Sequence, residues 1–205
     1  MNRHHQCCTT KNLDLVALCL SAHHIATACL TSGLLLCLPA HADLPDWWRQ
    51  ASNRAQRIID DGREELYLSG YAYHGRHTYT AERIAEFNEK AWGLGYGRSL
   101  RNDKGNDESL YFLAISDSHA KPQPMLGYAY QWTWATGMQN LEVGIGYTAM
   151  LVSRADYFGG IPFPAILPVG SVGTRQLRLM ASYVPHISNN KGNGNVLFIF
   201  FRGEL

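Results

Sequence analysis

The chain has 205 residues, a formal net charge of +1 and 46% hydrophobic residues. That length suits one domain, and the balanced charge lacks the basic excess that nucleic-acid binding requires, so no nucleic-acid partner is expected. The order of the residues is more informative than their totals.

All five cysteines (Cys7, Cys8, Cys19, Cys29 and Cys37) precede residue 38, and Arg3 and Lys11 precede an apolar run ending LLLCLPAHA. That run, from about Ile25 to Leu38, is shorter than the roughly 20 residues of a membrane helix, and Ala40-His41-Ala42 supplies small residues for cleavage. Residues 1–42 therefore read as a secretory signal peptide, with Ala28-Cys29 a looser match to a lipoprotein signal. From Asp43 onward there is no cysteine, which excludes disulfides and thiolate metal sites from that part.

Residues 43–62 follow as an amphipathic helix on the periplasmic side. In DWWRQASNRAQRIIDD, Trp48, Ala51, Ala55, Ile58 and Ile59 recur at helical spacing opposite Arg49, Asn53, Arg54, Gln56 and Arg57. Such a helix either caps a soluble core or lies at a membrane surface.

From Leu66 the hydrophobic period becomes two and stays so. Eight segments follow, at 66–79, 90–100, 109–116, 125–135, 141–153, 161–173, 175–185 and 195–202. Their lengths bracket the roughly 9–11 residues of a tilted membrane-crossing strand, and aromatic residues gather near the ends. The expected fold is all-β: an eight-stranded antiparallel up-and-down transmembrane β-barrel over residues 63–205, preceded by the helix. A soluble lipocalin-like barrel shares the alternation but explains the aromatic ends less well. In GYAY, VGIGY and GLGYG the bulky residues alternate with Gly or Ala rather than charges, which predicts a narrow, apolar lumen or, alternatively, glycines that merely let the sheet curve. Longer connections such as TAERIAEFNE and DSHAKPQP alternate with shorter turns such as TGMQN, which orients the barrel with the long loops outside.

Asp117, Ser118 and His119 stand side by side in DSHAKPQP, but consecutive residues on an extended strand cannot form a nucleophile-base-orienter relay, because Ser118 points away from its neighbours. A better histidine is His74, which shares a strand face with Gly70 and Ala72 opposite Tyr71 and Tyr73 and reaches the same outer end as Asp117 and Ser118. The alternative for His74 is a hydrogen-bonded interior histidine. His74, His77, His119 and His186 show no metal-ligand spacing, and Gly93-Gly95-Gly97 follows strand alternation instead of opening a helix, so neither metal nor cofactor is expected.

The segments YHGRHTY, NEKAWGLGYG, ISDSHAKPQPMLGYAYQWTW, LEVGIGYTA, RADYFGGIPFPAILPVGSVG and YVPHISNNKGNGNVLF together resemble the lipid A palmitoyltransferases, outer-membrane barrels with an N-terminal amphipathic helix. The resemblance runs from Trp47 to the last strand. It implies a monomeric acyltransferase of the cell outer membrane that moves a palmitoyl chain from the sn-1 position of a glycerophospholipid to lipid A. It places the family's catalytic histidine, aspartate and serine on His74, Asp117 and Ser118. His74 would be general base for the attacking hydroxyl or for Ser118, with Asp117 orienting it. The resemblance also implies a lateral lipid gate at Pro168 and Pro185, where missing backbone donors let strands part. The opposite gate lacks its prolines, Ser69 and Ala91 standing there. At the floor of the acyl cavity Ala129 replaces the family's glycine, which predicts a chain slightly shorter than palmitate. From the residues alone, a lipid A or phospholipid esterase and a non-enzymatic outer-membrane barrel remain the alternatives.

Overall fold

Helix α1 (Asp46–Asp61) begins the described part of the chain; the computed structural model describes residues 45–186 and 194–205, so the predicted signal peptide lies outside it. Ile58 is fully buried, while Trp47, Trp48 and Ile59 stay exposed on the helix surface. At the helix end the Gly62 amide returns to the Ile58 carbonyl at 3.0 Å, and a Cβ at Gly62 would meet that oxygen at 2.2 Å, so only glycine fits this close turn into the first strand.

Eight antiparallel strands then close on themselves in sequence order: β1 (Arg63–His74), β2 (Gly93–Arg101), β3 (Asp107–Ser116), β4 (Pro122–Ala135), β5 (Glu142–Val152), β6 (Phe163–Gly173), β7 (Leu177–Val184) and β8 (Val196–Glu204). The expected up-and-down barrel is the observed fold. β1 pairs with both β2 and β8, so among the described residues no strand is left as a sheet edge. The β1–β2, β3–β4, β5–β6 and β7–β8 connections share one end of the barrel, the loop end, and the β2–β3, β4–β5 and β6–β7 connections share the other, the turn end. The first of these loops carries a short helix α2 (Ala81–Ala85), whose N-cap Thr80 accepts from the Arg83 amide. Strand β1 stops at His74, not Tyr79, because the chain turns there: the amides of Thr78 and Tyr79 both donate to the Gly75 carbonyl.

Alternation divides the two faces. Outward, Leu68, Leu94, Phe112, Leu126, Ile145 and Leu151 form an exposed apolar surface with Trp92, Trp132 and Trp134, which suits lipid and not water. Inward, Tyr67, Leu113, Met125, Met150, Val169, Met180 and Phe200 make the core. The phase of β1 slips against β8 at a bulge between Ser69 and Tyr71, so that Tyr67 and Ser69 face inward below it and Ala72 and His74 above it.

The lumen is not uniformly apolar. Toward the turn end it is filled by ion pairs: Arg202 holds Asp107 through two hydrogen bonds of 2.8 and 2.9 Å and meets Glu65 at 3.2 Å, while Arg101 and Arg178 both pair with Glu142. Arg178 and Arg202 are 1% and 3% exposed. This corrects the expectation of small uncharged inward positions: the arginines sit at the lower ends of β7 and β8, where the barrel must be sealed by long side chains. The inward glycines make room for rings, since a Cβ on Gly127 would lie 2.6 Å from the Tyr111 ring.

Candidate active site at the loop end

A cavity of about 890 Å³ occupies the lumen above the ion pairs, within the range of small-molecule sites. Its wall is apolar along Leu113, Met125, Met150 and Phe198, and His74, Asp117 and Ser118 line its mouth. Ala129 lies deep in it, paired with Ser109 on β3 and Thr148 on β5, and the next inward residue on β4 is the buried Gln131. The apolar space therefore ends where the polar fill begins.

The structure brings His74 and Ser118 together. His74 Nε2 lies 3.1 Å from Ser118 Oγ, with the imidazole 2% exposed, stacked at 4.5 Å on Phe87 and edge-on to Tyr79 at 5.7 Å. Ser118 is held through its backbone as well, its carbonyl accepting from the Asn88 amide at 2.7 Å while Asn88 Nδ2 donates to Ser116 Oγ and the Asp117 carbonyl.

Asp117 lies at the cavity mouth with His74 and Ser118, as expected, but its hydrogen bonds go to the turn and not to the imidazole. Its Oδ1 accepts from the amides of His119 and Lys121, both at 2.8 Å, and closes a turn in which Ala120 has φ of 58°. That is the work of an aspartate shaping a left-handed turn. Its Oδ2 is buried with no hydrogen-bond partner. The carboxylate that meets the other imidazole nitrogen is Glu89, with Oε1 3.3 Å from His74 Nδ1. Arg76 donates to both Glu89 oxygens at 2.8 and 2.9 Å, Tyr71 adds a bond of 3.0 Å, and the His74 amide one of 3.1 Å. The Arg76 hydrogen bonds hold the Glu89 carboxyl at about 2, well below its ordinary value.

Phe87, Asn88 and Glu89 are the site residues that sequence reading missed. The available signal was the NEKAWG stretch, which joins the strand carrying His74 to β2. His119 lines the mouth with its ring 6.2 Å from Phe87. Among the described residues, no group of three or more histidine, cysteine, aspartate or glutamate side chains converges as metal ligands would.

The barrel wall differs at two seams. The β6–β7 ladder runs only from Gly173↔Arg178 to Val169↔Ser182, whereas β5–β6 continues to Val152↔Phe163. The strands therefore lose pairing from Pro168 to the loop end, with the Pro168 carbonyl taken by Ser182 Oγ at 3.0 Å and Pro185 lining the cavity after β7. The β1–β2 ladder also stops early, at Ser69↔Gly93, but that seam is bridged: Ser69 Oγ bonds the Ala91 carbonyl and the Ala72 amide donates to the Glu89 carbonyl at 2.9 Å.

Residues 54–202 match the profile of a family described as the antimicrobial peptide resistance and lipid A acylation protein PagP. The chain belongs to the PagP family. Similar proteins include the lipid A acyltransferase PagP of Bordetella parapertussis, 44% identical over 83% of this chain and 94% of that protein. Those of Methylobacillus flagellatus (42%, covering 84% and 94%) and Legionella pneumophila (42%, covering 74% and 79%) are also similar. The matched region includes His74, Glu89, Asp117 and Ser118.

Proposed function

We propose that this protein is an outer-membrane lipid A acyltransferase that moves a palmitoyl or slightly shorter chain from the sn-1 position of a glycerophospholipid to lipid A, acting as a monomer. The observation that carries the proposal is the His74 Nε2–Ser118 Oγ pair at the mouth of an apolar cavity inside a lipid-facing barrel. Kinship with proteins named lipid A acyltransferases supports the acceptor.

In this reading the donor's acyl chain enters the cavity and leaves its ester carbonyl at the mouth. His74 removes the proton from the attacking hydroxyl, either of lipid A directly or of Ser118; the carbon–oxygen bond to the lysophospholipid breaks, and the proton passes from His74 to the departing glycerol oxygen. Where Ser118 attacks first, a lipid A hydroxyl then gives its proton to His74 and attacks the acyl-serine ester, and Ser118 Oγ departs and takes that proton back. Asp117 shapes the turn that delivers Ser118. The unpaired stretch of β6 and β7 beside Pro168 and Pro185 is the lateral gate for lipid, since opening it breaks no ladder hydrogen bonds.

The test is the mass of lipid A from cells with and without the gene. A gain of one acyl chain supports acyl transfer; loss of a chain supports an esterase, and unchanged lipid A a non-enzymatic barrel, and either of these overturns the proposal.

A further inference from the structure

We propose that Glu89, and not Asp117, is the positioning residue that keeps the His74 proton on Nδ1 and leaves the Nε2 lone pair facing Ser118 Oγ; this rests on reading His74 as the base. An ionised carboxylate only accepts hydrogen bonds, so the ring nitrogen beside it must be the donor. In the neutral ring that leaves the other nitrogen bare, which is the state a general base needs. Glu89 Oε1 is 3.3 Å from Nδ1 and Ser118 Oγ is 3.1 Å from Nε2, so the imidazole lies between a fixed acceptor and a hydroxyl.

Glu89 is fixed as an orienting group must be. Arg76 spans both its oxygens, and Tyr71 and the His74 amide complete its shell. The His74 amide and ring thus bond the same carboxylate, which ties the ring's orientation to the end of β1. Asp117 makes no such bond to the imidazole: one of its oxygens is committed to the His119 and Lys121 amides and the other has no hydrogen-bond partner.

The test reads the imidazole directly. Purified protein carrying nitrogen-15 histidine is examined by NMR in detergent micelles without any lipid substrate, with His74→Asn assigning the signal. The expected wild-type spectrum has His74 protonated on Nδ1 and bare on Nε2. Glu89→Leu should lose that tautomer and Asp117→Asn should keep it. Where Glu89→Leu does not fold, as judged by loss of heat-modifiable migration, the isosteric Glu89→Gln takes its place, with a mixture of tautomers expected. In assays with phospholipid and lipid A, Glu89→Gln should lower kcat by about 10²-fold with KM held within about twofold. Retention of the wild-type tautomer in the Glu89 variants, its loss in Asp117→Asn, or an unchanged kcat in Glu89→Gln overturns the proposal. A wild-type protein with the expected tautomer and no acyl transfer would overturn the functional reading and leave the positioning role standing.

Discussion

Ala129 on β4 lies directly opposite Thr148 on β5, whose hydroxyl is bonded to Tyr111 at 2.6 Å, so that one small side chain and a bridged polar pair form the bottom of the apolar cavity. A methyl at this depth occupies the space of about one methylene of a bound chain, a difference of about 0.8 kcal/mol. The wild-type enzyme is expected to prefer a chain slightly shorter than palmitate, and Ala129→Gly to shift the preference toward longer chains by about one methylene. Mass spectrometry of lipid A formed from mixed-chain phospholipids measures this. Exclusive transfer of the sixteen-carbon chain by the wild type would contradict it.

Below that floor, Arg202 pairs with both Asp107 and Glu65 in a buried part of the lumen, and Arg101 adds a second positive charge beside Asp107. Removing one partner of a buried ion network leaves charge uncompensated, so Arg202→Met should destabilise the barrel by about 3–5 kcal/mol. Adding Asp107→Asn and Glu65→Gln should recover part of the loss. Denaturant unfolding from detergent micelles gives both values, and equal stability of Arg202→Met and wild type would refute the role of the network.

The eight strands and the helix were legible because each kept its hydrophobic period, and the loop-end placement of His74 and Ser118 followed from strand order. The lower fill was not, because the arginines in RQLRLMASYVP and NVLFIFFR read as ends of strands and nothing local shows that they turn inward. The bulge at Ser69/Tyr71 was equally hidden: Tyr67 and His74 are out of phase in sequence, yet both face the lumen once one extra residue is absorbed. Asp117 drew attention by adjacency to Ser118, whereas Glu89 reaches His74 through a loop whose path only the closed barrel determines.

The gap beside Pro168 predicts that lipid enters from the side. Cysteines introduced at Ile166 and Tyr183, exposed on the outer face of β6 and β7 beyond the last pair, can be joined by a short bis-maleimide in a protein whose barrel has no cysteine of its own. Joining them should abolish transfer, while singly modified proteins keep it. Full activity of the joined protein would exclude this seam as the route.

Glu89 also sets an acid limit for the loop. Its carboxyl is held at about 2, against an ordinary 4.5, chiefly by Arg76. Because its folded value is depressed, the stabilisation is fully present above the ordinary value and is lost as the pH falls toward about 2. The His74 amide donates to Glu89 Oε1 and reports on it. Its NMR shift should titrate with a midpoint near 2, and a midpoint near 4.5 would show that Arg76 does not hold the carboxylate.

The proposed catalytic pair, His74 and Ser118, is open to a direct measurement. Purified protein is given a phospholipid labelled in its sn-1 chain together with lipid A, and the label reaching lipid A is counted. Wild type should transfer the label, and His74→Asn and Ser118→Ala should each reduce the rate by about 10²-fold or more while retaining the heat-modifiable migration of a folded barrel. Transfer at the wild-type rate by both folded variants would contradict the account.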